Sequence, residues 1–338
     1  MTATLAETVA GKRLNIVAAL SARFRDLDLA EEAFAEACLR AASQEGEIAD
    51  WAAWLFTTAN RYALDRIRHR KVAESFAAQT IQHDEASMEQ ANSIPDHRLA
   101  LLFACCHPAI DLSSRVALAL TTICGLTVDQ VAKATLLGTP ALAQRIARAK
   151  RKLAGGGIVF EIPDPRFYRD RLEAVLTTIE MAYSRAHGTG AGDGERALLA
   201  RQTLSLSALL VEMLPDEGDV LALAASLHFS EARRSARVDA DGRMVPLDRQ
   251  DPARWDRDLL VRALEFRSKT PRLADKSPRR VQMELQHCWC SRRASDAPAQ
   301  WSPILALYDR LLDLEESAFA RLNRLVALRD VRGPATLL

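Results

Sequence analysis

The sequence of 338 residues has little that favours β structure or disorder. It contains 14 glycines and 13 prolines, clustered at a few points, and alternating runs of Val, Ile and Thr are nearly absent. Ala, Leu, Arg and Glu dominate instead, and most of these residues favour helices. The 49% content of hydrophobic residues argues against a disordered chain. We therefore predict an all-α protein of two or three domains.

The sequence also lacks the signals of membrane insertion, secretion and disulfide bonding. No apolar run is long enough to cross a bilayer, and the N-terminus has no apolar segment typical of a secretory signal. The six cysteines are too few and too unevenly grouped for a disulfide framework in a chain of this size. We expect a cytoplasmic protein with reduced thiols and no membrane partner.

A local basic patch stands out because the formal net charge is only +1. Between Leu126 and Leu153 two short helices with apolar faces are separated by a tight turn. Thr127 is placed to cap the first helix, and Thr139-Pro140 to cap and open the second. The second helix carries five cations and no acid, which predicts a helix-turn-helix that binds DNA. A basic run can also be only a solvated face.

A second basic helix is predicted from Trp51 to Lys71, with its aromatic residues in the core more readily than stacked on bases. Two amphipathic helices precede it, Lys12 to Arg25 and Leu29 to Ala42, separated by a break at Asp26-Leu27-Asp28. The acids at the start of the second of these suit the helix dipole, or they dock a basic partner.

Two stretches resemble known motifs. Glu31-Glu32 through Ala42, followed by the spacing WLxxxAN-xxxxD-xxR from Trp54 to Arg68, resembles region 2 of bacterial sigma-70-type factors of the extracytoplasmic-function (ECF) class. The stretch from Gly125 to Leu153 resembles region 4 of the same factors. The resemblance implies a subunit that binds core RNA polymerase and directs promoter-specific transcription initiation, with no catalytic site, cofactor or metal of its own.

The resemblance also implies three sets of contact residues. The set for the −10 element is Asn60, Arg61, Asp65, Arg66, Arg68, Arg70 and Lys71, with the loop Gln44 to Asp50 holding an unstacked base. The set for the −35 element is Gln144, Arg145, Arg148, Lys150, Arg151 and Lys152. Glu31, Glu32 and Glu36 would face the polymerase clamp. The implied partners are core RNA polymerase, through its beta-prime clamp and beta flap, and double- and single-stranded promoter DNA.

Four segments follow along the chain. We predict a region 2 domain in residues 1–75, a flexible linker in residues 76–95, a region 4 helix-turn-helix domain in residues 96–157 and a C-terminal extension in residues 158–338. Gly155-Gly156-Gly157 ends the basic helix and marks the last of these boundaries.

The C-terminal extension is predicted to be an α-solenoid or tetratricopeptide-like array. Its segments LPDEGDVLAL (Leu214 to Leu223) and ALYDRLL (Ala306 to Leu312) resemble the extension of one subgroup of these sigma factors. We expect it to act on the DNA-binding domains in cis or to contact polymerase, and Gly333-Pro334-Ala335 looks like the start of a further helix. The predicted helices are Tyr168 to Arg185, Glu195 to Leu214, Asp219 to Ala236, Arg254 to Arg267, Pro278 to Cys290, Trp301 to Leu314 and Ser317 to Val331.

Three groups of residues could bind ions, but each has a simpler interpretation. Adjacent Cys105-Cys106, followed by His107, cannot readily chelate one ion from a helix, so we expect buried thiols. The segment His287-Cys288-Trp289-Cys290 could bind a metal or sense oxidants, although no second ligand pair lies nearby. The segment Asp239-Ala-Asp-Gly242 lacks the later ligands of a calcium loop and predicts a surface turn.

The alternative to a sigma factor is a helix-turn-helix transcriptional regulator whose helical C-terminal domain senses a ligand or a protein. This interpretation leaves the first 75 residues without a purpose. A hydrolase or transferase is disfavoured because the sequence has no Gly-rich phosphate loop, nucleophile elbow or carboxylate pair in a recognisable setting.

Overall fold

A computed structural model of the protein describes residues 4–44, 48–75, 96–135, 137–187, 193–270, 277–292, 294 and 299–333. The described residues form fourteen α-helices and four short 3-10 helices, and their only β feature is an isolated bridge between Val238 and Met244. The prediction of an all-α fold is confirmed. The predicted linker, residues 76–95, lies outside the described residues, as do residues 334–338.

The helices, in chain order, are α1 Leu5–Phe24, α2 Leu27–Ala42, α3 Trp51–Ser75, α4 Arg98–Cys105, α5 Leu112–Thr122, α6 Val128–Thr135, α7 Thr139–Gly155, α8 Arg169–His187, α9 Asp193–Met213, α10 Gly218–Ala232, α11 Arg257–Lys269, α12 Pro278–Cys290, α13 Trp301–Leu314 and α14 Ala318–Arg332. All seven helices predicted after residue 157 are present, and α12 and α13 have the predicted ends. The third of them ends at Ala232, and a short 3-10 helix, Arg234–Ala236, follows it.

The two N-terminal helices begin earlier than predicted, because side chains before them cap their first turns. Thr4 and Glu7 form a reciprocal capping box that starts α1 at Leu5, well before the predicted Lys12. Arg25 closes α1 in the left-handed region at φ 55°, and the Asp26 carboxylate accepts a hydrogen bond from the Leu29 amide at 3.0 Å. The helix α2 therefore starts at Leu27, and Asp28 lies in its first turn.

The chain divides into two compact units. The first comprises residues 1–186 and 192–199, and the second comprises residues 187–191 and 200–338. In the first unit α1 packs against α2, α3 and α4, and α7 packs against both α5 and α2. The region 2-like and region 4-like parts thus belong to one compact unit.

The helix α8 also packs within the first unit, as far as Ala186. The rings of Tyr168 and Phe103 lie 5.6 Å apart, and Arg171 donates a hydrogen bond to the Phe103 carbonyl at 3.2 Å. The compact unit therefore extends past the Gly155-Gly156-Gly157 segment, which ends α7 as predicted, with Gly157 at φ 62°.

The second unit is built by contacts between neighbouring helices. The helix α10 packs against α11 and α12, and α12, α13 and α14 pack in succession. The rings of Trp289 and Trp301 meet edge to face at 5.3 Å. The core of the last three helices consists of Val281, Leu285, Trp289, Ile304, Leu305, Leu311, Ala320 and Ala327.

Two smaller predictions are confirmed. The side chains of Cys105 and Cys106 are fully buried. The segment Asp239 to Gly242 is an exposed turn in which the Asp239 carboxylate accepts hydrogen bonds from the Asp241 and Arg243 amides.

Among the helices that the structure describes, none is both long and apolar enough to cross a membrane.

A close contact at Gly218 gives a test of the second unit. A Cβ atom there would lie 1.8 Å from Arg280 Nη2, and the buried Arg280 pairs with Asp219 at 3.5 Å. Gly218→Ala would displace this guanidinium, so we expect a loss of about 1–3 kcal/mol in the free energy of unfolding. Gly194→Ala is the control, because its Cβ meets nothing within 4 Å. Urea unfolding followed by circular dichroism measures both variants, and equal stabilities would contradict the packing described.

Candidate nucleic-acid interface

The helix-turn-helix of α6 and α7 begins with a reciprocal cap. Thr127 Oγ1 accepts a hydrogen bond from the Gln130 amide at 3.2 Å, and Gln130 Oε1 accepts one from the Thr127 amide at 2.9 Å. The predicted cap at Thr127 is therefore confirmed. The apolar stripe of α7 is also buried as predicted, through Leu142, Ile146, Ala149 and Leu153.

The predicted cap at Thr139 is wrong by one residue. Gly138 holds the N-cap position of α7, and Thr139 is its first helical residue, with Pro140 in the opening turn. Hydrogen bonds from Lys133 and then from Thr139 lower the pKa of the Asp129 carboxyl. Thr139 therefore does not cap α7 with its side chain.

The residues predicted to contact the −35 element divide into two groups on α7. Gln144, Arg148 and Arg151 are exposed, and their spacing places them on one face of the helix. The other three make contacts within the protein: Arg145 donates to Ser113 Oγ at 3.0 Å, Lys150 to acids of α2, and Lys152, which is also exposed, to the Ala109 carbonyl at 2.9 Å. Gln144, Arg148 and Arg151 therefore form a face of α7 that a ligand can contact without breaking any of these three contacts.

The helix α3 has a buried spine and a polar outer face. Leu55, Ala59 and Ala63 are fully buried, whereas Arg61 and Asp65 are exposed. Asp50 caps the helix by accepting hydrogen bonds from the amides of Ala52 and Ala53 at 2.9 and 3.0 Å. The helix α3 is therefore amphipathic, with charged side chains on the face that is turned to solvent.

The remaining residues predicted for the −10 element have varied surroundings. Arg66 pairs with Glu32 at 3.2 Å, and Arg68 pairs with Asp65 at 3.7 Å. Asn60 is half-buried, and its Oδ1 accepts no hydrogen bond. The side chains of Arg70 and Lys71 lie outside the described residues, as do residues 45–47 of the predicted base-binding loop.

The three acids predicted to face polymerase all have partners within the first unit. Glu31 binds Lys150 Nζ at 2.6 Å and lies 3.5 Å from Arg13 Nη2. Glu32 accepts a hydrogen bond from the Tyr62 hydroxyl at 2.7 Å, which raises the pKa of Tyr62. The side chains of Glu31 and Glu32 are 25% and 47% exposed. A basic surface of another protein could therefore bind them only by replacing their present partners. Glu36 pairs with Arg40 one turn away, at 2.9 Å.

Arg13 and Asp28 also belong to this polar cluster, although no sequence motif pointed to either residue. Asp28 Oδ1 lies 2.8 Å from Lys150 Nζ. Once α2 is started at Leu27, Asp28 and Glu31 are one turn apart on the same face. The capping signal at Asp26 would have revealed this pair, but the contact with Lys150 depends on tertiary packing.

The cysteines of α12 lie in the second unit without a cluster of ligands. Cys290 Sγ accepts a hydrogen bond from Arg233 Nη1 at 2.9 Å, and burial raises the pKa of both Cys288 and Cys290. Because the thiolate is the reactive form, burial lowers the reactivity of both thiols. Within the described ranges, no group of three or more His, Cys, Asp or Glu residues is placed to hold a metal ion.

Comparison with known proteins gives two matches. Residues 171–270 match a family of unknown function (DUF6596), and these residues begin in α8 and end just past α11. An uncharacterized protein of Rhizobium meliloti (strain 1021) is 34% identical over 337 residues, which cover 96% of this chain and 79% of the relative. No solved structure gives a significant match. Since the similarity to the Rhizobium meliloti protein runs through both compact units, the chain belongs to the same family as that protein.

Proposed function

We propose that this protein is an ECF-type sigma factor, a cytoplasmic subunit that binds core RNA polymerase and directs promoter-specific transcription initiation. One observation carries the proposal: the first unit presents two separate basic helices, α3 and α7, whose outer faces are exposed and whose sequences resemble regions 2 and 4. A simple repressor needs only one such helix. Two modest contacts to one DNA suit a protein held in register by a larger enzyme.

The exposed face of α7 has the chemistry to recognise a major groove. Arginine can bind guanine through two hydrogen bonds, and glutamine can bind adenine in the same way. Gln144, Arg148 and Arg151 supply these side chains within two helical turns. In this proposal α7 contacts the −35 element, and α3 contacts the −10 element with Arg61 and Arg68.

The acids of α2 fit a role in binding polymerase. Glu32 and Glu36 each have one cationic partner at a partly exposed site, and such exposed pairs are worth little, about 0–1 kcal/mol. A basic clamp surface can replace those partners at small cost. We propose that the second unit regulates this complex, in cis or through a contact with polymerase.

A helix-turn-helix regulator with a sensing domain is the alternative. The exposed apolar side chains of α14, with Phe319 82% exposed and Leu322 60%, favour a protein-binding role for the second unit in either case. The two functions differ in whether core RNA polymerase is required.

The deciding experiment adds the full chain to core RNA polymerase. We expect one complex on gel filtration and transcripts that start at particular promoters and depend on the chain. Core polymerase alone, which should give no such transcript, is the control. Tight binding to duplex DNA with neither a complex nor a transcript would contradict the proposal and favour the regulator.

A second prediction concerns the exposed cations of α7. The double variant Arg148→Ala/Arg151→Ala removes two positive charges from the face that would lie against DNA, so it should weaken duplex binding. It should also reduce the slope of log affinity against log salt by up to about 2, because each phosphate that is no longer neutralised changes the slope by about 0.9. Fluorescence anisotropy at several salt concentrations measures this slope. Binding to core polymerase should remain.

The matched control is Arg166→Ala/Arg243→Ala, which removes the same charge from two exposed surface sites. If both double variants lowered the slope equally, the α7 face would have no special role in DNA binding.

A further inference from the structure

A polar cluster joins the region 2-like and region 4-like parts of the first unit. We call Arg13, Asp28, Glu31 and Lys150 the latch. Lys150 Nζ lies 2.8 Å from Asp28 Oδ1 and 2.6 Å from Glu31 Oε2, across 122 and 119 residues of sequence. Arg13 lies 3.5 Å from Glu31, and its Nη1 donates a hydrogen bond to the Thr122 carbonyl at 2.9 Å.

Three of the four members of the latch are more enclosed than the ion pair Arg25–Glu161 of the same unit, whereas the Asp28 side chain is 63% exposed. The exposed fractions of the Lys150, Glu31 and Arg13 side chains are 22%, 25% and 30%. By contrast, Arg25 and Glu161 face each other at 3.8 Å with about 70% of each side chain exposed. Burial lowers the pKa of Lys150, but Glu31 and Asp28 outweigh burial and raise it overall. Lys150 is therefore held in its charged form between two carboxylates.

Two members of the latch, Lys150 and Glu31, also have other proposed partners. Lys150 belongs to the set expected to contact the −35 element, and Glu31 to the set expected to contact the polymerase clamp. While Lys150 binds Asp28 and Glu31, its ammonium group has carboxylate oxygens where DNA would supply phosphate oxygens. The ion pair between Lys150 and Glu31 therefore blocks a DNA-binding residue and a polymerase-binding residue at the same time.

We propose that the latch holds the first unit in a closed state, in which Asp28 and Glu31 occupy the phosphate-binding position of Lys150, and that opening releases α2 for polymerase and α7 for DNA together. This proposal rests on the proposed function and adds its regulation. Lys150 and Glu31 each exchange one ionic partner for another when the unit opens, so the latch is readily reversible. The apolar packing of α1 against α4 is the second contribution that opening must overcome.

The test compares two charge-neutralising double variants of the full chain. Asp28→Asn/Glu31→Gln removes both carboxylates of the latch. Asp241→Asn/Glu316→Gln removes two negative charges from exposed pairs in the second unit. Because the two variants have the same net charge, nonspecific attraction to DNA rises equally in both. We expect the latch variant to bind duplex DNA at least about fivefold more tightly than the control variant, as measured by fluorescence anisotropy.

A distance measurement reports opening without any partner. Labels introduced through unnatural amino acids at Leu39 of α2 and Leu112 of α5 avoid the six cysteines, and both side chains are more than half exposed. The latch variant should shift the distance distribution to longer values, and the control variant should leave it unchanged. An unchanged distribution, or duplex affinity equal to that of the control variant, would overturn the proposal.

Three further variants keep the test decisive if the double variant does not fold. Asp28→Asn alone alters a carboxylate whose side chain is 63% exposed, and it should give a smaller change in the same direction. Lys150→Met removes the ammonium group of the latch and should lengthen the distance, whereas Lys150→Arg keeps the charge and should leave the closed distance unchanged. Equal distances in these two variants would show that the ion pair is not what closes the unit.

The experiments distinguish an error in the proposed function from an error in the proposal of the latch. If the protein is not a sigma factor but the latch exists, distance and duplex affinity change while no polymerase-dependent transcript appears. If it is a sigma factor without a latch, Glu31→Gln weakens only the complex with core polymerase.

Discussion

The burial of α1 is the constraint on which the first unit depends. Leu14 and all the residues from Ile16 to Leu20 have at most 5% of their surface exposed, so the middle of this helix is buried on every side. A helix on a domain surface would leave one face in water. α1 is enclosed because it packs on α2 and α3 and also on α4. The two parts that the sequence separates as region 2 and region 4 therefore share one core.

The polar contacts between distant segments of the first unit depend on that shared core. Once α1 has brought the two parts together, Lys150 and Glu31 meet in a partly desolvated position. Such pairs add little net stability, because lost hydration offsets the Coulomb attraction. Apolar packing therefore supplies most of the stability of the first unit, and its charged residues can exchange partners at small cost, as the proposed function requires.

The features that could be predicted from the sequence are those determined by residues close together in the chain. The ends of α12 and α13, the apolar stripe of α7 and the cap at Thr127 follow from periodicity and capping chemistry within a few residues. The early start of α1 was missed although its capping box was readable in the sequence. The partners of Glu31 and the inward turn of Lys150 could not be predicted, because they depend on packing between residues 119 positions apart.

The position of α8 changes how the C-terminal extension is to be understood. Sequence patterns assign this helix to the extension, yet Tyr168 packs on Phe103, and the Cys106 thiol interacts with Thr178 of α8. A chain cut after Gly157 would therefore uncover the buried α4 and lose part of the first core, so any change in activity would reflect damage to that core. The family match that begins at residue 171 starts inside this helix. The helix α8 is therefore a structural element of the first unit, which extends to Ala186 at the end of this helix.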